Sequence, residues 1–167
     1  MSAPAPVRAS ALAFVTGLAS ILAAWGFQIF GGYIPCKLCL IERIPYYTGL
    51  PVLLLGLLLA SRAPLVARGL YVIAGLLFFA GVAVGSYHAG AEWNLWAGPS
   101  DCGGTQVTVT DASNLLAAMQ HTRIVSCTEA TFRLFGIFSF AGLNVLASGF
   151  VGLLAFRAAT TSRDALI

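Results

Sequence analysis

The sequence predicts an all-α membrane protein, a four-transmembrane-helix bundle with one short surface helix in its second outer loop. Two observations carry that prediction. The chain is 59% hydrophobic and only 9% charged over 167 residues, where a soluble domain carries about 25% charged residues. It also contains four apolar stretches, 9–30, 44–60, 65–87 and 132–156, each close to or above the roughly 20 residues that cross a hydrocarbon core as a helix. Too little polar chain remains for a separate soluble domain, so residues 1–167 read as a single membrane domain with loops at 31–43 and 88–131.

The first span follows a short arm ending in Arg8. A cleaved signal peptide would have an apolar core of about 7–15 residues and a small-x-small cleavage site. Residues 9–30 are longer, and no convincing site follows before Gly31, so the stretch reads as a retained helix. Gly31-Gly32 then breaks it. The second span is short, and Pro45 lies near its start; proline lacks a backbone donor and suits only a helix's first turn. Helix 2 is therefore expected to begin no earlier than about Leu40, with Cys36 and Cys39 capping it.

Ser61-Arg62-Ala63-Pro64 reads as a tight turn into the third span, where Gly81-x-x-x-Gly85 would let a neighbouring helix approach closely. His88 is placed where that helix emerges. The one long polar segment runs from His88 to Thr131. Within it Asp111 can cap a short helix with Leu115, Leu116 and Met119 on one face, which would lie on the membrane surface. Trp93, Trp96, Tyr46 and Tyr47 read as an aromatic belt. The fourth span is 132–156.

Charge sets the expected orientation. Arg8, Arg62, Arg68, Arg157 and Arg163 fall on one side of these spans; Lys37, Arg43, Arg123 and Arg133 fall on the other with Glu42, Glu92, Asp101, Asp111 and Glu129. The basic-rich side should face the cytoplasm. Both termini are then inside and all four cysteines outside. No run of basic residues suggests a nucleic-acid partner; the partner implied by composition is the lipid bilayer.

Outside the cytoplasm, disulfides persist, so two structural bridges, Cys36–Cys39 and Cys102–Cys127, are the plainest reading. For the second pair it is sound, because closing so long a loop stabilises a fold by roughly 3–4 kcal/mol in the chain-entropy model. For the first it fails, since a bridge across two residues removes little chain entropy and suits redox exchange. Zinc would favour two closely spaced pairs, and Cys102 and Cys127 are far apart in sequence. A covalent haem would need histidine after Cys39, where Leu40 stands. Arg43, four residues beyond Cys39, is either an interfacial anchor or a fixed charge that lowers a thiol pKa and donates to an electron-accepting carbonyl compound. Its place beside a Cys-x-x-Cys favours the second. Glu42 reads as charge balance at the interface. A four-span scaffold with a structural loop disulfide, and a metal-handling membrane protein, are the alternatives from other classes.

The order Cys36-Lys37-Leu38-Cys39-Leu40-Ile41-Glu42-Arg43, then Tyr87-His88, then Trp96-Ala-Gly-Pro-Ser-Asp-Cys102, then Cys127-Thr-Glu-Ala with Gly136 and Asn144 beyond, resembles the disulfide bond formation protein B (DsbB) family. The vitamin K epoxide reductase family also joins a four-helix membrane bundle to quinones, but its loop cysteines precede its Cys-x-x-Cys. The DsbB resemblance implies a bacterial inner-membrane, quinone-dependent thiol oxidoreductase whose cysteines are periplasmic. It further implies that Cys102 is attacked by a reduced DsbA-type thioredoxin-fold protein, that Cys127 is released to exchange with Cys36, and that Cys39 passes the electron pair to ubiquinone or menaquinone of the membrane pool. Arg43 would hold a quinone oxygen, with His88 near the ring and Glu42 beside them. Lys37, inside the pair, departs from the family's best-known members and implies a shifted thiol pKa.

Overall fold

The computed structural model describes residues 5–99, 123–124, 127–128, 130, 133–134 and 138–164. Its main elements are four long helices, α1 (Ala5–Ile29), α2 (Lys37–Leu59), α3 (Pro64–Glu92) and α4 (Phe140–Asp164). Each holds an apolar stretch long enough to cross a membrane. Leu22, Leu58, Leu76 and Leu153, one from each helix, are 60–65% exposed. An outside so rich in leucine suits lipid as its solvent, while Leu53, Tyr71, Phe78 and Val151 fill the interior.

The helices pack in chain order around a square. α1 lies against α2 and α4, α3 lies against the same two, and α2 barely touches α4. The predicted glycine pair forms part of the α3 interface. A Cβ on Gly85 would stand 2.9 Å from both Asn144 Nδ2 and Val145 Cγ2, and one on Gly81 would stand 3.1 Å from Ser148 Oγ and 3.2 Å from Pro45 Cγ.

Among the described residues, two small strand pairs sit at the cysteine-bearing end. β1 (Tyr33–Ile34) pairs in parallel with β2 (Arg123–Ile124), Tyr33 opposite Arg123 and Ile34 opposite Ile124. β3 (Arg133–Leu134) pairs antiparallel with β4 (Phe138–Ser139), immediately before α4. Arg8, Arg62, Arg68 and Arg157 belong to the opposite end of the bundle.

Several boundaries differ from the sequence expectation. α2 begins at Lys37, not at Leu40 or later, and carries Pro45 and Pro51 in its interior. Pro45 cannot donate to the Ile41 carbonyl, but surrounding helices make such a break tolerable in a membrane, and the missing Cβ of Gly81 leaves room for its ring. α3 runs on to Glu92, so His88 lies inside the helix and is fully buried. α4 starts at Phe140, eight residues after the expected 132, because the phenylalanine-rich run before it contributes strands. Tyr46 is not in an interfacial belt; its ring is buried edge-on against Phe78, while Tyr47 is half exposed and accepts a hydrogen bond from Trp25 Nε1 at 3.0 Å. The expected surface helix with Asp111, Leu115, Leu116 and Met119 lies outside the described residues.

Candidate active site

The site grows from the first turn of α2. Cys36 is its N-cap, extended in backbone (φ −72°, ψ 172°), and its sulfur accepts the Cys39 N–H at 3.3 Å. This is the place usually taken by a serine or aspartate oxygen. The two sulfurs are not bridged; they lie 3.0 Å apart in a hydrogen bond. The parallel strand pair does the rest of the positioning. Cys36 follows Ile34 by two residues and Cys127 follows Ile124 by three, so pairing β1 with β2 carries Cys127 to the start of α2.

Cys127 is itself in a disulfide. It is buried with Cys36 and Leu38, and Cys39 and Ile41 pack against the three. The sulfurs of Cys36 and Cys127 and a ring nitrogen of His88 all fall within 4.8 Å of one another. A thiolate attacks from about 3–3.5 Å, so thiol–disulfide exchange here needs a shift of at most about 1–2 Å. Three such side chains could suggest a metal centre, but the Cys127 sulfur is already tied in a disulfide and is not a thiolate ligand. The grouping reads instead as a thiol, a disulfide and a base.

His88 links this group to α2. Its Nε2 is 3.9 Å from Cys36 Sγ, and its Nδ1 is 2.7 Å from Glu42 Oε1. Glu92, one helical turn beyond His88, brings Oε1 to 3.9 Å from Nε2. All three side chains are buried. The Cys36 thiol is pulled from 9.0 down to about 4, first by the hydrogen bond with Cys39, against the cost of burial, and then by the hydrogen bond and charge of His88. The positive end of the α2 dipole acts in the same sense.

On the other side of Cys39 a largely apolar cavity of about 330 Å³ opens between α1, α2 and the start of α4. Tyr33, Phe27 and Phe140 contribute aromatic walls, and Cys39, Glu42 and Arg43 line it from α2. The Arg43 guanidinium is held by Gln28, to whose Oε1 it donates from Nη1 at 2.7 Å. Neither Cys36 nor His88 lines the cavity. The two cysteines of the motif therefore face different ways, Cys36 towards His88 and Cys127, Cys39 towards the cavity.

The family model for the disulfide bond formation protein DsbB matches residues 7–158, nearly the whole chain. The chain belongs to the DsbB family. No curated protein and no solved structure shows a significant match to it. As a DsbB-family member it is a multi-pass membrane protein of disulfide bond formation, an oxidoreductase of thiols. That membership sets aside the scaffold reading, which left Cys36 and Cys39 without a purpose.

Within this DsbB-family fold, five of the expected site residues, Cys36, Cys39, Cys127, Arg43 and Glu42, gather at one end of the bundle, and His88 joins them from α3. Cys102 lies outside the described residues. Two placements depart from the sequence reading. Glu42 is not at the interface but is buried against His88, and His88 stands beside the thiols, not on the cavity wall. Two residues were missed. Glu92 carried a signal, its i+4 spacing from His88; Gln28 carried another, being the one amide in the apolar run of α1.

Proposed function

We propose that this DsbB-family chain reoxidises a DsbA-type thioredoxin-fold protein in the bacterial periplasm and delivers the electron pair to ubiquinone or menaquinone of the inner membrane. In this reading the cysteine-bearing end is periplasmic and both termini are cytoplasmic. One observation carries it: Cys36 stands within 4.8 Å of the disulfide-bonded Cys127, while Cys39, 3.0 Å from Cys36, faces an apolar cavity that also presents Arg43.

A thiolate of the partner attacks Cys102 Sγ, and Cys127 leaves as the thiolate. Cys127 then attacks Cys36 Sγ of the closed Cys36–Cys39 pair, so that Cys39 departs as the thiolate at the cavity wall. The partner's second thiol closes the partner's own disulfide and releases Cys102, whose thiolate attacks Cys127 of the Cys127–Cys36 bridge, so that Cys36 leaves in turn. The Cys127 disulfide is then closed and Cys36 and Cys39 stand reduced, as they do in this structure. The α2 N-terminus stabilises negative sulfur at this position. The oxidising relay of the periplasm is known to run through DsbA, DsbB and quinone, and DsbA at about −120 mV is a strong oxidant. A quinone bound in the cavity would supply the two-electron, two-proton sink that reoxidising such a partner demands. The residues fit that group. The cavity has the volume of small-ligand sites, about 300–1,000 Å³, its walls are mostly apolar, and a guanidinium has five donors, of which Arg43 gives Nη1 to Gln28.

The test is spectrophotometric, in detergent, with excess reduced DsbA-type protein and a soluble ubiquinone. Turnover should vanish in Cys36→Ser, and Arg43→Ala should weaken apparent quinone affinity. Folded wild-type protein that reduces no quinone with any thiol donor would overturn the proposal.

A further inference from the structure

Building on the electron-transfer reading above, we propose that His88 and Glu42 form a proton relay from the Cys36 sulfur to the wall of the acceptor cavity. Closing the Cys36–Cys39 disulfide forms one S–S bond and releases two electrons and two protons. A quinone reduced to its quinol takes up two of each. The electrons leave through Cys39, and the Cys39 proton is already at the cavity. The second proton, which the Cys36 sulfur gives up to His88, is not, because Cys36 and His88 face away from the cavity.

The geometry supplies a path for that proton. His88 Nε2 is 3.9 Å from Cys36 Sγ and His88 Nδ1 is 2.7 Å from Glu42 Oε1, and Glu42 is the member of this chain that lines the cavity. Imidazole accepts on one nitrogen and releases from the other, so a proton taken at Nε2 leaves at Nδ1 onto the Glu42 carboxylate. Cys39 is 3.0 Å from Cys36 and lines the cavity, but it gives up its own proton and its sulfur enters the new S–S bond, so it cannot carry the second. The remaining groups facing the relay do not offer an exit. Glu92 approaches the same nitrogen that faces Cys36, at 3.9 Å, and does not line the cavity. Arg43 stays charged and cannot accept a proton. Cys127 is tied in its disulfide and does not titrate. A carboxylate and an imidazole buried together are also costly unless paired, which charge balance at a membrane surface would not require.

Two measurements on the full chain in detergent test the relay. The first contains no quinone. In His121→Gln, which leaves His88 as the sole histidine, ¹⁵N spectra of the ring are compared after excess small dithiol and after oxidation. The ring should be protonated on both nitrogens when the pair is reduced and neutral when it is closed; an unchanged ring overturns the relay. The second mixes reduced protein with soluble ubiquinone and a pH-indicator dye in weak buffer. Wild type should bleach quinone with no transient acidification. Glu42→Gln should release about one proton per chain to the solvent before taking one back, and Glu92→Gln, at whatever rate it turns over, should show no such transient, because Glu92 does not line the cavity. Glu42→Asp, which keeps a carboxylate, guards against a folding defect and should show a smaller transient. A Glu42→Gln record without the transient, or a transient equally large in Glu92→Gln, overturns the relay. Wild type that bleaches no quinone sinks the electron-transfer reading and the relay's endpoint together, and the quinone-free spectra separate that result from a failure of His88.

Discussion

Gln28→Ala isolates what holds Arg43 in place. The bond it removes, Arg43 Nη1 to Gln28 Oε1 at 2.7 Å, is short and charge-assisted, a kind that contributes about 1.5–3 kcal/mol. Both partners are only part-buried, so the lower end of that range applies, and a cavity water can take the freed donor. The loss then falls on the orientation of the guanidinium and not on its charge. About 1.4 kcal/mol corresponds to tenfold in an equilibrium constant. The expected result is a roughly tenfold rise in KM for soluble ubiquinone with kcat little changed, the pattern of lost uniform binding. Thiol–disulfide exchange with the protein partner, measured by trapping the mixed disulfide, should be unaffected. An unchanged KM, or a loss confined to the exchange step, would refute the assignment of the cavity and of Arg43 as its polar anchor.

Gly85→Ala should destabilise the bundle by about 1–3 kcal/mol, because its Cβ would stand 2.9 Å from Asn144 Nδ2 and Val145 Cγ2. Gly26→Ala, with nothing within 4 Å, should be neutral or slightly stabilising. Thermal unfolding in detergent compares the two, and equal midpoints would mean that α3 and α4 are not in this close contact. The lowered Cys36 thiol sets a pH dependence. For Cys36 itself, a folded pKa of about 4 beneath an ordinary value of 9.0 is a contribution to stability that is present above pH 9 and is lost as pH falls towards 4. Thiolate absorbance of the reduced protein should accordingly persist well below pH 9 and decline only as pH nears 4. Its disappearance close to 9 would contradict the hydrogen bonds drawn to that sulfur.

The four spans were legible because membrane helices announce themselves by long apolar runs, whatever they pack against. What the sequence hid were places where polar groups satisfy one another inside the bundle. His88 and Glu92 look like the start of a loop when read along the chain. They belong to α3 because Glu42, far away in sequence on α2, meets His88 at 2.7 Å. No local pattern reveals that pairing. Pro45 misled for a related reason: the rule that confines proline to a first turn weighs the lost hydrogen bond and not the glycine on α3 that accommodates the ring. At α4, hydropathy alone could not separate the short strand pair, which lies in a phenylalanine-rich stretch of sequence, from the helix that follows it.

The Cys-x-x-Cys spacing, which is legible, acquires its meaning from the helix start, which was misplaced. With α2 beginning at Lys37, Cys36 is the N-cap and Cys39 the third helical residue. An N-cap is still half in the loop, so Cys36 can meet the incoming segment that β1 and β2 align. The third helical residue already lies on a helix face, and Arg43, four residues on, shares that face. Had the helix begun at Leu40, both cysteines would have belonged to the loop and neither would have been fixed relative to Arg43. The same three-residue offset keeps the sulfurs 3.0 Å apart and turns them towards different surroundings. A dithiol placed in this way can take electrons on one side and release them on the other without moving the helix.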